Sequence, residues 1–190
     1  SRRYLALLDT TGAANSTFNH GLNSSVSGIK LQVGGLIWVA GGFSTYSNAP
    51  VTSIVRLNAN GDLIGSTSTN LSNPSNLVPQ EDGKLIATSY RSATFDYGVL
   101  RFNSDATVDT TFNGGRFDIA PQDMTISRDG DLYAVGTFSS YNGLPASKFV
   151  KIYATSNNVP ADAPEFVAEP ADVSALFGQN VTLTAAVVGK

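Results

Sequence analysis

His20 is the only histidine of the chain. As a general base it needs a nucleophile within hydrogen-bond reach and an acid to orient it. Asn19-His20-Gly21 offers neither, and the glycine context reads as a turn. Asp129 and Asp131 flank Gly130, and Glu81-Asp82 stands at the equivalent turn. Paired carboxylates can cleave glycosidic bonds at a suitable separation. Asp also favours turns for its own reason, bonding to nearby backbone N–H groups, and the turn reading covers all four residues. Asn58, Asn60 and Asp62 alternate oxygen ligands around Gly61 and form a weak calcium candidate. Ca²⁺ takes six to eight oxygens, and the bidentate Glu that closes an EF-hand loop is absent. A hairpin turn is the simpler account. With no cysteine, disulfides and thiolate metal sites are excluded. No phosphate-binding loop or nucleophile elbow occurs. No catalytic residue and no cofactor is expected.

Two tyrosines are the candidate ligand-binding residues. Tyr46 follows Gly42-Phe43, and Tyr141 follows Gly136-Thr137-Phe138. Both loops are polar, so the rings are expected to be exposed and able to stack on a sugar or a neighbouring chain. The alternative is that each tyrosine caps its own structural unit. Trp38 lies inside an apolar strand and belongs to a core. Asn15-Ser16-Thr17, Asn23-Ser24-Ser25, Asn70-Leu71-Ser72 and Asn180-Val181-Thr182 fit the N-glycosylation pattern, which chance supplies in a chain this rich in Asn, Ser and Thr.

The elements that carry these residues repeat. Gly35-Leu36-Ile37-Trp38-Val39-Ala40, Gly83-Lys84-Leu85-Ile86-Ala87-Thr88 and Gly130-Asp131-Leu132-Tyr133-Ala134-Val135 are each a glycine turn followed by a short apolar strand. Leu8, Leu57, Phe102 and Ile152 hold equivalent places, about 45 to 50 residues apart. An alternating strand precedes each glycine, and Asp-Gly between apolar strands is a strong hairpin signal. No helical periodicity with caps occurs, so almost no helix is expected. Leu36 to Val39 is apolar on both faces, as a strand packed between two neighbouring sheets requires. The expected fold is all-β: tandem four-stranded antiparallel blades of a partial β-propeller over residues 1–156, with repeats at 9–57, 58–102 and 103–153. Residues 157–164, rich in Pro, Ala and Asn, read as a linker. Residues 165–190 read as the first strands of an immunoglobulin-like β-sandwich, which needs about 100 residues to complete.

The net charge is −3 and only 14% of residues are charged. No basic cluster exists to displace counterions from a nucleic acid. No apolar run approaches the ~20 residues that span a bilayer as a helix. A hydroxyl- and amide-rich surface without cysteine points to an extracellular or cell-surface protein of bacterial source.

Phe18-Asn19, Phe112-Asn113, Gln80-Glu81-Asp82-Gly83-Lys84, Gly42-Phe43, Gly136-Thr137-Phe138, Arg56-Leu57-Asn58 and Arg101-Phe102-Asn103 together carry a likeness. Over residues 3–153 the chain resembles the bacterial delta-sixty repeat β-propellers. The middle repeat departs from the pattern, with Thr67 where Phe18 and Phe112 stand and Ser89-Tyr90 in place of Gly-Phe. Pro170, Asp172-Val173, Gly178, Asn180-Val181-Thr182-Leu183-Thr184 and Gly189 resemble the opening of a bacterial immunoglobulin-like domain. The resemblance implies a scaffold of large secreted or surface proteins and carries no catalytic residues. Since propellers close with four to eight blades, three repeats lead to the expectation of a piece of a longer polypeptide.

The expected function is a non-enzymatic structural or interaction module, serving adhesion through a protein partner or self-association. Binding of a polysaccharide is the alternative. A further one is a non-catalytic part of a propeller hydrolase or lyase. Neither nucleic-acid binding nor membrane insertion is expected.

Overall fold

The computed structural model describes residues 4–15, 18, 20–69, 71–146, 148–153, 165–168 and 186–188. All regular elements among them are strands. The chain divides into two units, Ser1–Ser156 and Asn157–Lys190.

The first unit is built from three consecutive antiparallel meanders. Blade 1 holds β1 (Val26–Gln32), β2 (Leu36–Gly41), a small hairpin of β3 (Thr45–Tyr46) and β4 (Ala49–Pro50), then β5 (Ile54–Leu57) and β6 (Leu63–Ser66). Its sheet order is β1-β2-β5-β6. Blade 2 holds β7 (Ser72–Pro79), β8 (Leu85–Arg91), β9 (Asp96–Phe102) and β10 (Arg116–Phe117). Blade 3 holds β11 (Asp123–Ile126), β12 (Leu132–Val135), the hairpin β13 (Ser140–Tyr141) and β14 (Leu144–Pro145), and β15 (Phe149–Ile152). The blade 3 sheet has three strands among the described residues, β11-β12-β15, where four were expected. Phe117 explains a further difference. It pairs with Tyr97 of β9 on one side and Tyr141 of β13 on the other, so the blade 2 sheet runs on into the next repeat's hairpin as six strands.

Local chemistry sets the register. Five turns share one pattern: Asp9–Ala13, Asn58–Asp62, Gln80–Lys84, Asn103–Thr107 and Ser127–Asp131. In each, the first N–H donates to the fifth carbonyl and the fourth N–H to the first carbonyl. This is a three-residue loop closing on a residue with left-handed backbone, a position that favours glycine. Gly12, Gly61, Gly83 and Gly130 fill it; Ala106 does so at φ 67°. The hairpins β3–β4 and β13–β14 turn instead through Ser47-Asn48 and Asn142-Gly143, two residues of positive φ each, the geometry that matches strand twist. Pro50 and Pro145 lie on the outer strands of these hairpins, where a missing N–H costs no ladder bond.

The core lies between blades. Trp38, Ala40 and Ile54 of blade 1 pack with Leu77, Leu85, Ala87 and Phe102 of blade 2. Ile86, Val99 and Phe117 of blade 2 pack with Met124, Leu132, Ala134 and Ile152 of blade 3. Val39, Val55 and Leu57, on the other face of blade 1, pack with Leu22, Phe43 and Tyr46 and with Leu5. Trp38, Val39 and Ala40 are all fully buried, because alternate residues of β2 enter different clusters. Each buried aliphatic or aromatic side chain contributes roughly 1.5–3 kcal/mol. Leu8 bridges Ala14 as Phe102 bridges Val108, so the N-terminal segment repeats the end of a blade.

In the second unit β16 (Glu165–Ala168) pairs antiparallel with β17 (Ala186–Val188). The remainder of the expected linker and immunoglobulin-like segment lies outside the described residues.

Candidate interaction surface

Sheet register aligns the blades residue by residue. Leu57, Phe102 and Ile152 face Ile37, Leu85 and Leu132 in their own blades. It follows that Trp38, Ile86 and Tyr133 are equivalent, as are Ala40, Thr88 and Val135, and Ile54, Val99 and Phe149. In blades 1 and 2 these positions are sealed against the following blade. Ile54 is 0% and Val99 3% exposed, whereas Phe149 is 57% and Val135 43% exposed. Tyr153, just beyond the other end of β15, is exposed as well. Lys151 extends over the Tyr133 and Tyr153 rings, with Nζ 5.8 and 4.9 Å from their centroids, and pairs with Asp131 at 2.7 Å. Blade 3 thus presents an apolar face with a cation beside its aromatic rings.

The two sealed junctions show which polar contacts accompany such a face. Ser27 Oγ donates to the Pro74 carbonyl and Gln32 Nε2 to the Gln80 carbonyl. Arg56, the blade 1 counterpart of Lys151, reaches the Ser104 carbonyl of blade 2. At the next junction Asn76 Nδ2 donates to the Pro121 carbonyl at 2.8 Å. Side chains reading backbone carbonyls lock the sheets at a fixed spacing.

The candidate tyrosines do not present open rings. Tyr46 is 2% exposed, its hydroxyl donates to the Gly61 carbonyl, and its ring stacks on His20 with centroids 5.5 Å apart. The expected exposure of Tyr46 is corrected: the turn at Ser47-Asn48 folds its hairpin back onto the blade 1 core. Burial, with the nearby Asp62 charge, raises the Tyr46 pKa above the usual phenol value. Tyr141 is half-buried, donates to the Gly114 carbonyl at 2.7 Å and tilts against Phe117. Burial pushes its pKa up to about 12. Both rings anchor hairpins.

Asn58 Oδ1 accepts from the backbone N–H groups of Asn60 and Asp62, each at 2.9 Å, and Asn58 Nδ2 donates to Asp62 Oδ2. The calcium candidate is therefore a hydrogen-bonded turn whose amide oxygen already serves the backbone. Asp9 makes the same turn, accepting from the N–H groups of Thr11 and Ala13. Among the described residues no three His, Asp or Glu side chains converge as a metal site would need. His20 Nδ1 lies 3.1 Å from Ser47 Oγ, and its ring meets Phe18 edge-on.

Three sets of residues escaped sequence reasoning. Asn23 Oδ1 accepts from the N–H groups of Ser44 and Thr45, and Asp118 accepts likewise from Ser139 and Ser140. These acceptors tie the small hairpins of blades 1 and 3 to the segments that precede β1 and β11, and their matched offsets were the available signal. Asp109, nearly buried, receives Lys84 Nζ at 2.7 Å, Arg101 Nε at 2.9 Å and Thr111 Oγ1 at 2.6 Å. The Lys84 bond foremost, then Thr111, holds its carboxyl far below the usual range. Asp96 takes Arg91 Nε and Nη2 at 2.6 and 2.8 Å, and Arg116 Nε approaches it at 3.5 Å. The Arg91 bonds lower the Asp96 pKa.

Comparison with known proteins adds three findings. Residues 35–63 and 80–112 match the family described as a domain of unknown function (DUF5122) β-propeller. No curated protein matches the chain. Among solved structures, a gluconolactonase from Xanthomonas campestris is similar over 82% of this chain and 56% of its own length, at 17% identity and a TM-score of 0.48. The chain therefore spans little more than half of that structure. The two family-matched stretches begin at the turns before β2 and β8, equivalent strands of successive blades, and support placing the chain in a β-propeller repeat family.

Proposed function

We propose that the chain is a non-enzymatic structural and interaction module of a secreted or cell-surface protein, serving adhesion or assembly. A rigid stack of blades meets its protein partner through an uncovered blade face. The observation that carries this reading is the exposure of Phe149 and Val135 at positions that are buried in both preceding blades. An apolar face built to blade-junction pattern favours association with another β-structured surface, since exposed apolar patches mark interaction sites. The low charge fraction of 14% and the absence of cysteine support the secreted setting.

A photo-crosslinking amino acid placed at Phe149, and separately at Phe95, tests this. Phe95 is 78% exposed and lies in the β8–β9 turn of blade 2, outside the strands that carry Val135 and Phe149. With the chain expressed in its host, adducts are expected from position 149 and not from position 95. Equal yields from both, or none from 149, contradict the reading.

A further inference from the structure

A polar cavity of about 300 Å³ lies between β8, β10 and the β13–β14 turn, lined by Arg91, Asn113, Gly115, Arg116 and Asn142. That is the lower end of the ~300–1,000 Å³ range of small-molecule pockets. Its construction is specific. Asp96, with its side chain only 12% exposed, grips Arg91 in a bidentate pair and steadies Arg116 from behind. Two guanidiniums share one carboxylate, so the pocket wall keeps a net positive charge. Arg116 approaches Asp96 through Nε at 3.5 Å, and its side chain is 54% exposed. Asn142 is held by its own Oδ1, which accepts the Arg116 backbone N–H at 3.0 Å. That bond turns Asn142 toward the cavity it lines.

Two glycines make the room. A Cβ at Gly98 would lie 3.1 Å from Arg91 Cδ, so glycine there lets the Arg91 stem lie close across β9 without shifting. A Cβ at Gly115 would lie 2.5 Å from both Asn142 Oδ1 and the Tyr141 hydroxyl. Gly115 also has φ 69°.

We propose that this cavity binds a carboxylate carried on a small polyhydroxylated ring, a hexuronate unit. The guanidinium fork matches a carboxylate in plane and spacing. The amides of Asn113 and Asn142 offer both donors and acceptors to ring hydroxyls. This site is separate from the blade 3 end face and does not depend on the use of that face.

The test is titration of the whole chain, followed by ¹H–¹⁵N chemical shifts, with galacturonate, with galactose and with acetate. Galacturonate is expected to give saturable shifts at the Gly115 and Asn142 amides. Galactose and acetate are expected to bind at least about tenfold more weakly, the loss of a charged hydrogen bond or of the ring contacts. Arg116→Gln, at a side chain 54% exposed, is expected to weaken galacturonate about ten- to hundredfold. Lys30→Gln, an exposed cation on β1, is the charge control and is expected to leave binding unchanged. No saturation up to tens of millimolar (roughly the weak limit of specific binding) overturns the proposal. So does equal binding of galactose or acetate, or unchanged binding by Arg116→Gln.

Discussion

Val99 and Phe149 occupy the same register position of successive blades, and only Val99 is covered: it is 3% exposed where Phe149 is 57% exposed. A smaller contrast separates Ile86, fully buried, from its equivalent Tyr133, which is half-buried. One face pattern is thus covered inside the stack and exposed on blade 3.

The contrast has a thermodynamic consequence. Ile86→Ala empties part of the blade 2–blade 3 core and is expected to cost about 2–5 kcal/mol of unfolding free energy. Phe149→Ser touches an open surface and is expected to stay within about 0.5 kcal/mol of the parent. Urea titrations of the two variants of the isolated chain check this. A large loss from Phe149→Ser would mean that another segment covers the face.

The tyrosine anchors separate by type of substitution. Tyr46→Phe keeps the ring and leaves the buried Gly61 carbonyl without its donor, costing about 1–3 kcal/mol. Tyr46→Ala empties the space against Leu22 and Val55 and is expected to cost about 3–5 kcal/mol. An exposed stacking platform would show neither effect. Thermal unfolding reads both.

Asp109 gives a signed pH dependence. Its folded-state pKa is depressed, chiefly by the Lys84 bond, below the unfolded value of about 3.9. Its contribution to stability is therefore full above that value and is lost as pH falls below about 4. Asp109→Asn leaves Arg101, whose side chain is 11% exposed, without this carboxylate and is expected to cost about 3–5 kcal/mol at neutral pH. The gap between parent and variant should hold above about pH 5 and shrink below pH 4. Denaturant midpoints across that range decide it.

The small hairpins carry a sequence-level test. Asn142-Gly143 suits its two positive φ values, while Ser47-Asn48 places a side chain on both. Gly143→Ala is expected to destabilise by about 1–2 kcal/mol. Asn48→Gly is expected to stabilise by a few tenths of a kcal/mol, since asparagine tolerates this backbone better than most residues. Differential scanning calorimetry on each variant measures the shift.

Much of the fold was legible because its signals are local. The glycine turns, the doubly apolar run from Leu36 and the recurrence of Leu57, Phe102 and Ile152 follow from periodicity and turn chemistry. The site was less legible because it depends on distant pairings. Arg91 and Arg116 meet at Asp96 only because β8, β9 and β10 lie side by side, and Gly98 between them gives no sign in sequence of the stem it accommodates. Tyr46 read as exposed because polar loop residues surround it; the fold-back onto His20 and Gly61 is a tertiary fact. The exposure of Phe149 and Val135 had no sequence signal, since composition does not say which blade face is left uncovered.

Hydroxyl-radical footprinting of the aromatic side chains, on the isolated chain and on the chain within the assembly proposed for it, tests the use of the end face most directly. Phe149 and Tyr153 are expected to be modified in the isolated chain and protected in the assembly. Phe95 should be modified in both, and Trp38 and Phe117, fully buried, in neither. Equal modification of Phe149 in both states would contradict the account.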